Sequence, residues 1–501
     1  VLRRGYAAAE VSNLTASFTG ETRSLNEDLE HSLRLMVGRS RQLAKNNNHV
    51  AKFLRMVQNH LVGPKGVQLS VLCRRPDGSI DEPDRAVLEA AFARFSRRGV
   101  IEVTGRLSRT QLERLLVLCW ARDGEFIVRR VRGRQFNRFG YALQIIDPVL
   151  LDYSYRVDFS DGRRIRLGVE TDSWGRPLAY HFRTDVENTF GGRRERVPAS
   201  EVWHHFVQLE PGQVRGVPWI HSAMRTLNDI GGYVEAAIIA ARVGASNMGF
   251  FVPPAGDTKD AAGLAHDTQA VGGDADEDGN ADAEPELVRD ATPGGFDKLP
   301  PGYDFKKFDP DYPHANFEAF MKAMLRGVAS GIGVDYNTLN SDLEGVNFSS
   351  MRGGVLETRD EWMCLQGSFE EAFHQLLYPE WLEMAFVSGE LGRLPVSKFE
   401  KYDAAEWQFR RWPWVDPLKD FQATEMEISA GMQSFTDAMR ERGRDPERVW
   451  SQLEQDLDRI EKIRKRLKPA PPPAPNPAAP AQPAGAVASG GKKPADDEDD
   501  E

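Results

Sequence analysis

Apolar residues recur every three or four positions over residues 24–62, a spacing that is typical of amphipathic helices. Basic residues occupy many of the intervening positions. The pattern is interrupted at Asn46-Asn47-Asn48 and again at Gly63-Pro64, so it predicts two consecutive helices with a basic face. A third helix is expected over 83–97. Ser108 and Gln111 fit a capping box that opens a helix running to Arg122.

A period of two replaces the helical spacing in several short stretches between residues 100 and 210. The segments "EFIVRRV", "YALQIID" and "RIRLGVET" alternate apolar and polar residues, which favours strands. "DSWGRPLAYHFR" has the pattern of a hairpin. Because helices both precede and follow these strands, the chain is expected to be an α+β protein that is predominantly helical.

Helical spacing returns after residue 217. Long helices are expected over 218–246, over 314–333 and from Ser349 to Tyr378, the last closed by Pro379. Further helices are expected at two Asp-Pro pairs, where Asp416 and Asp445 would cap and Pro417 and Pro446 would take the first helical position.

Two segments lack bulky apolar residues. Residues 255–295 are rich in Ala, Gly, Asp and Glu, and residues 469–501 are rich in Pro and Ala and end in "ADDEDDE". Such segments cannot bury enough apolar surface to offset their ordering entropy, so both are expected to be disordered. The apolar run from Val234 to Val252 contains Arg242 and Asn247 and does not predict a membrane span.

A polar stretch, 334–348, separates the helix over 314–333 from the one that begins at Ser349. It has few side chains worth burying, so it is expected to be an exposed and comparatively mobile loop. Its two carboxylates, Asp342 and Glu344, have no basic residue next to them in the sequence. The residues of this loop that are candidates for a functional role are Asn340, Asp342, Leu343, Glu344, Val346 and Asn347.

The net charge of the chain, −11, is distributed unevenly. Residues 1–250 contain 37 Lys and Arg against 27 Asp and Glu, a net of +10, which leaves 27 against 48, a net of −21, for the remaining residues. A uniformly basic nucleic-acid-binding surface is therefore not expected. The basic first half could favour a polyanion or an acidic partner, or could be an ordinary solvated surface.

Catalytic and metal-binding motifs do not emerge from the sequence. His204-His205 lies in an apolar, strand-like stretch without the Cys or acidic pair that would complete a metal site. Ser349-Ser350-Met351-Arg352 resembles a Ser-x-x-Lys nucleophile only superficially, since Arg stays protonated and cannot act as the base. Cys73, Cys119 and Cys364 are expected to be buried thiols. No cofactor and no metal are expected, and the chain is not expected to be an enzyme.

Five segments in this order resemble the portal proteins of tailed bacteriophages, in the lambda-like family, over nearly all of residues 10–468. They are "LRLMVGRSRQLAKNNNHVAKFLRMVQNHLVGPKGVQL", "EFIVRRV" with "LQIIDP", "GVPWIHSAMRTLNDIGGYVEAAIIAA", "LPPGYDFKKFDPDYPHANFEAFMKAMLRGVASGIGVDYNTLNSDLEGVNFSSMRGGVLETRDEW" and "WPWVDPLKDFQATEMEISAGMQSFTDAMRERGRDP". The acidic segment 255–295 and both ends depart from the resemblance.

The resemblance implies a ring of twelve subunits at one capsid vertex, through which double-stranded DNA is packed and later ejected. Each subunit would have a wing, a two-helix stem, a clip and a helical crown. The corresponding ranges are 1–217 with 349–411 for the wing, 218–246 and 314–333 for the stem helices, 247–313 for the clip, 334–348 for the tunnel loop and 412–468 for the crown.

The resemblance also implies partners and a location. The large terminase, which hydrolyses ATP, and a head-completion adaptor would dock on the clip, and the major capsid protein would surround the ring. The protein would belong to the virion and would be in the host cytoplasm during assembly. The segment 255–295 could be a docking element at the edge of the clip or a disordered insertion without a partner.

The second stem helix is expected to carry a polar stripe. Glu318, Lys322, Arg326 and Ser330 recur every four residues, and Lys322 and Arg326 could contact phosphate or pair with Glu318. The tunnel loop could project towards DNA or be an ordinary connection on the outside of the ring. Two other classes of function remain open, a monomeric DNA-binding or adaptor protein and a hydrolase or nuclease.

Overall fold

The computed structural model describes residues 23–184, 193–245, 249–252, 304–307, 316–342, 344, 348–412 and 417–466. The expected disordered segments 255–295 and 469–501 lie outside these residues, as do Leu343, Val346 and Asn347 of the loop. The chain divides into two compact units, Val1–Arg444 and Asp445–Glu501.

Four helices form the first part of the larger unit, and their limits follow the sequence signals. The expected break at the three asparagines is confirmed, because the Asn47 carboxamide oxygen accepts hydrogen bonds from the N–H groups of His49 and Val50 and starts a second helix. The capping box of Ser108 and Gln111 is also present. The helices are α1 (Leu25–Asn46), α2 (Asn48–Leu61), α3 (Glu82–Phe95) and α4 (Arg109–Asp123).

The strands form two main antiparallel sheets, which pack around a shared apolar cluster that includes Ile127, Tyr180 and Phe182. The three-stranded sheet has the order β3-β2-β9 and the five-stranded sheet the order β4-β5-β6-β7-β8. The expected hairpin is formed by β6 and β7. The strands are β2 (Glu125–Arg132), β3 (Tyr141–Ile146), β4 (Val157–Asp158), β5 (Arg164–Arg166), β6 (Val169–Thr171), β7 (Pro177–Arg183), β8 (Arg194–Pro198) and β9 (Val202–Phe206).

Two helices far apart in the sequence, α5 (Met224–Ala245) and α6 (Phe317–Gly331), pack against each other. The Ser222 hydroxyl, just before α5, donates a hydrogen bond of 2.7 Å to the carbonyl of Gly331 at the end of α6. Tyr233, further along α5, stacks on Phe317 at the start of α6, with the ring centroids 5.6 Å apart. The two helices are therefore antiparallel. α5 begins later than expected because residues 219–223 form turns.

The long helical region after the loop differs from the expectation at Pro379. It consists of α8 (Phe348–Phe369), a π-helical turn (Glu370–His374) and α9 (Gln375–Ser388), so the prediction that Pro379 ends the helix is wrong. An interior proline costs about 3 kcal/mol. Tyr378 and Trp381, on either side of it, are fully buried, and each large apolar side chain contributes about 1.5–3 kcal/mol. Packing therefore outweighs the lost hydrogen bond.

The largest core cluster joins the N-terminal helices to α8 and α9. Phe92 and Phe95 of α3 contact Trp381 of α9, with ring centroids 4.9 and 6.2 Å away, and Trp120 of α4 stacks on Phe369 of α8. A small sheet of β1 (Gln68–Val71) and β12 (Ala405–Gln408) adds a second connection between these parts of the chain. Residues 348–412 thus fold back onto the N-terminal body.

Shorter elements complete the larger unit. β10 (Gly249–Val252) and β11 (Asp304–Lys307) pair with each other at the two ends of the segment that separates α5 from α6. The remaining helices are α7 (Tyr336–Asn340), α10 (Phe399–Tyr402), α11 (Pro417–Ser429) and α12 (Phe435–Glu441). Pro417 takes the first helical position as expected, whereas its expected cap, Asp416, is outside the described residues.

The smaller unit contains α13 (Pro446–Arg466), whose first turn is capped by the Asp445 carboxylate, as expected. The described helices of the chain include none that is long and apolar enough to cross a membrane. Cys73 and Cys119 are buried, but Cys364 is exposed on α8, so the expectation that all three thiols are buried is wrong. Its position on an apolar pattern did not reveal which side of the helix would face the core.

Candidate functional site

The polar stripe of α6 is present, and its charged groups are already engaged. Lys322 lies one turn after Glu318, and its Nζ atom is 2.6 Å from Glu318 Oε1. The Arg326 guanidinium lies over the ring of Tyr336, 5.3 Å from its centroid. Ser330 is exposed near the end of the helix. On the other side of α6, Val328 is buried and Met321 and Met324 pack against the core, while Phe320 remains exposed beside Tyr233.

The stretch after α6 is more ordered than a plain exposed loop. Residues 336–340 form the short helix α7, whose N–H at Thr338 bonds the Asp335 carboxylate at 2.7 Å. Leu339 is 1% exposed and Val334 is also buried. The expectation that this stretch has almost nothing to bury is therefore wrong for its first half. The reason is that Leu339 follows Tyr336 by three positions, which puts both on one side of a helical turn.

Ser341 ends α7 in the left-handed region of backbone conformation, with φ of 57°. Residues other than glycine adopt this conformation rarely. The side chain of Ser341 is a hydrogen-bond partner of Lys52 Nζ, on α2. This contact fixes the end of α7 against the N-terminal body, and Asn340, which precedes it, is half-buried.

The two carboxylates of the loop share a cation that the sequence did not reveal. Lys322 Nζ lies 3.3 Å from Glu344 Oε2 and 3.8 Å from Asp342 Oδ2. Asp342 and Glu344 have no basic neighbour in the sequence, but they have one in the fold. Lys322 is about twenty residues earlier in the chain, and the turn after α6 brings it back to them.

Hydrogen bonds hold Asp342 in its charged form. The Tyr336 hydroxyl donates to Asp342 Oδ2 at 2.9 Å, and the backbone N–H of Glu344 donates to Oδ1 at 3.1 Å. These bonds, together with the charge of Lys322, lower the pKa of Asp342. Hydrogen bonds to Glu318 and Glu344 raise the pKa of Lys322. The charge of Arg326, which lies over Tyr336, also lowers the pKa of Asp342, so the group combines three carboxylates with two cations and has a net charge of −1.

Sequence reasoning placed four described residues correctly beside one another on α6 and missed three residues that surround the loop. Tyr336, Ser341 and Lys52 were not identified as part of the site. The basic face expected for α1 and α2 was the signal that could have indicated Lys52, but nothing in the sequence shows which surface it meets.

The two histidines that the sequence offered as metal ligands, His204 and His205, have structural partners. His204 Nε2 lies 2.9 Å from Glu125, a buried carboxylate that also binds the Arg215 guanidinium, and His205 packs its ring against Trp120. Burial is the main cause that lowers the pKa of His205 to about 4. In the part of the chain that the structure describes, no group of three His, Cys, Asp or Glu side chains is placed to hold a metal ion.

Comparison with known proteins identifies relatives over most of the chain. Residues 12–366 match the family model described as phage portal protein, lambda family. The probable portal protein of Halomonas phage phiHAP-1 is 33% identical over 471 residues, which cover 92% of this chain and 88% of that protein. Portal protein B of Escherichia phage lambda is 23% identical over 505 residues, covering 91% and 90%.

A solved structure was also matched. One chain in the neck of an empty gene transfer agent (GTA) particle, computed with C6 symmetry, is 16% identical to this chain and has a TM-score of 0.42. The match covers 86% of this chain and 98% of that one.

Proposed function

Because the chain belongs to the lambda family of phage portal proteins, we propose that it assembles into a closed ring of twelve subunits whose channel conducts double-stranded DNA during packaging and ejection. As a portal protein it is a structural component of the virion at the capsid and not an enzyme. The large terminase and a head-completion adaptor dock on the ring, and the major capsid protein surrounds it.

The observation that carries the ring is the apolar surface that one chain leaves exposed on its antiparallel helix pair. Ile238 and Ile239 of α5 are 47% and 52% exposed, and Phe320 of α6 is 46% exposed. A helix pair that cannot cover its own apolar side needs a neighbour. A repeated side-by-side contact between identical chains forms a ring when the rotation from one chain to the next closes. This supports the assignment of α5 and α6 as the stem.

The other regions follow from the order of the elements. Residues 1–217 and 349–411 form the wing, which accords with the core that α3 and α4 share with α8 and α9. Residues 247–313 form the clip, closed at its base by the paired strands β10 and β11. Residues 334–348 form the tunnel loop, and 412–468 form the crown, which contains α11, α12 and α13.

The charge of the tunnel loop suits a channel for a moving polyanion. Each neutralised phosphate adds affinity by releasing counterions, so a strongly basic lining would hold DNA instead of letting it pass. Lys322 offsets part of the charge of Asp342 and Glu344, and a modest negative charge remains. Repeated around the ring, this charge repels phosphate at short range, within about 8 Å at physiological salt.

The test is the double variant Asp342→Lys with Glu344→Lys. It places two more cations beside Lys322 and turns a repelling ring into a binding one, so we expect rings to assemble normally while DNA packaging into heads falls. The control is Glu400→Lys with Glu441→Lys, which makes the same change in charge at two exposed sites away from the loop. If the loop variant packages DNA as well as the control does, the assignment of the tunnel loop is refuted.

A further inference from the structure

A long part of the N-terminal region contains no acidic residue. From His31 to Pro76 there is no Asp or Glu, and there are nine Lys or Arg residues. This run spans most of α1, all of α2 and β1. Its cations have no acidic partner nearby in the sequence, so any neutralisation must come from other parts of the fold or from a ligand.

Several arginines of the two main sheets are neutralised within the protein. The guanidinium of Arg129 lies 2.9 Å from Glu195 and 3.0 Å from Glu201, and Arg196 lies 2.8 Å from Glu170. Arg130 and Arg132 pair with glutamates of α9. These four arginines therefore belong to internal ion-pair networks.

The cations at the junction of α1 and α2 are different. Lys45 is exposed in the last turn of α1, and Arg55 is exposed on α2, one turn after Lys52. Within the described part of the chain, none of the three has an ion pair with a carboxylate. Arg41, which lies nearer the body, pairs with Asp123 and Asp147. We call Lys45, Lys52 and Arg55 the basic corner.

Two observations indicate that the basic corner is a site of uncompensated positive charge next to the tunnel loop. The pKa of Lys52 is lowered, first by partial burial and then by the charge of Arg55, so the two cations are close enough to repel each other. Lys52 also contacts the Ser341 side chain, at the end of α7. The corner thus adjoins the stretch that leads to Asp342 and Glu344.

We propose that the basic corner binds the phosphate backbone of double-stranded DNA. The proposal rests on the proposed function, which brings DNA to the tunnel loop. Three solvent-accessible cations without carboxylate partners attract a polyanion, and they carry no arrangement that would read base sequence. The same chain thus has an acidic loop, which repels phosphate, and an adjoining basic corner, which binds it.

The experiment measures binding of a short fluorescent DNA duplex to the assembled ring by anisotropy, at salt concentrations from about 50 to 200 mM, where such contacts weaken steeply. The test variant is Lys45→Gln with Arg55→Gln, which leaves the contact between Lys52 and Ser341 intact. The control is Arg164→Gln with Arg176→Gln, which removes two exposed cations, one at the start of β5 and one in the turn before β7. Native mass spectrometry confirms that each variant forms rings.

We expect the slope of log K against log salt to become shallower by about 1.8 in the test variant, about 0.9 for each lost phosphate contact. The control should keep the slope of the unmodified protein. Equal slopes for test variant and control would overturn the proposal. A second result would also overturn it: the unmodified ring binds phosphatidylserine vesicles, and the test variant loses that binding but keeps its DNA binding. The corner would then recognise a lipid surface.

Failure of the proposed function gives a different result. In that case the unmodified protein does not form rings, or rings form and do not support packaging of DNA into heads. The basic corner is tested on protein that forms rings, so a change in the salt slope and a loss of ring formation are separate readouts.

Discussion

At the scale of single residues, Glu125 shows how the fold supports charge in its interior. This carboxylate is buried at the start of β2, and the Arg215 guanidinium bonds both of its oxygens, with Nε 2.8 Å from Oε1. His204 and the N–H of Gly216 bond the same carboxylate at 2.9 Å each. Arg215 also donates to backbone carbonyls of Leu167 and Pro148. The segment that leads into α5 is thereby fixed to both sheets.

Arg215→Met should destabilise the larger unit by about 3–5 kcal/mol, because it leaves Glu125 buried without its counter-charge. The free energy of unfolding is measured by urea titration. Arg225→Met is the matched control, since Arg225 is exposed and its ion pair with Asp229 is long, at 4.0 Å. This variant should change the free energy of unfolding by less than about 1 kcal/mol. Adding Glu125→Gln to Arg215→Met should restore part of the loss.

The same variant has a pH signature. Burial raises the pKa of Glu125, but the charge of Arg215 and the bond from His204 outweigh it and lower the pKa to about 2. In the unmodified protein its contribution is therefore present above about pH 4.3 and is lost as the pH falls towards 2. Without Arg215, burial raises the pKa, so protonation on mild acidification stabilises the variant. The difference in free energy of unfolding between the two proteins should become smaller from pH 7 to pH 4. A difference that stays constant would contradict this account.

Local signals at single residues were predictable, and long-range partners were not. The Ser108 and Gln111 pair and the Asp445 and Pro446 pair act within one helical turn, so the sequence contains the whole interaction. Glu125 and Arg215 are ninety positions apart, and Lys322 meets Glu344 only because the chain turns back. No spacing rule connects such residues.

At the scale of elements, α4 depends on its first turn. The Gln111 side chain accepts a bond of 3.0 Å from the N–H of Ser108, and the Ser108 hydroxyl accepts one from the N–H of Gln111. This helix carries Trp120 and Glu113 into the core, where Glu113 binds Arg109 and His374. Fraying at its start would therefore loosen contacts with the π-helical turn of the C-terminal half.

Ser108→Ala should lower the free energy of unfolding by about 1 kcal/mol, since it removes one member of the capping box. The control is Ser32→Ala, which makes the same chemical change inside α1, where the hydroxyl only bonds the Asp28 carbonyl one turn earlier. Alanine is the better helix former there, so the control should be neutral or slightly stabilising. Equal losses in both variants would show that the cap contributes nothing specific.

The elements that the sequence misplaced were those governed by packing. Propensity indicates that Pro379 ends a helix, yet the aromatic residues around it are buried and the helix continues. The polar composition of 334–348 favours a loop, yet Leu339 is buried and the Asp335 carboxylate caps a helical turn there. Both cases depend on the neighbouring surface, which a single sequence does not show.

At the scale of the whole molecule, the exposed apolar side of the stem should determine assembly. Ile238→Glu with Ile239→Glu should leave the subunit folded and prevent ring formation, because the two carboxylates that each interface would bury cannot be solvated there. Native mass spectrometry gives the mass of the assembly, and circular dichroism checks the fold. Rings of unchanged mass would mean that α5 does not form the subunit contact.

The control for this variant is Arg225→Gln with Asn228→Glu, which also lowers the charge of α5 by two but at exposed polar positions. It should assemble normally.

The order of these elements along the chain, with its two long helices separated by a polar segment, was predictable because it follows from hydrophobic periodicity. Which apolar side chains stay uncovered was not, since exposure depends on the partner helix.

The exposure of Cys364 gives the protein a natural attachment point for a dye. Burial raises the pKa of the Cys73 thiol to about 11 and that of Cys119 to about 12, and the thiolate is the form that reacts with maleimides. Cys364 is exposed on α8 and is the accessible thiol of the three. At neutral pH a fluorescent maleimide should therefore mark each subunit once, without any engineered cysteine. Stepwise photobleaching of single assembled particles would then count subunits one by one, and a ring of twelve would lose its fluorescence in twelve steps.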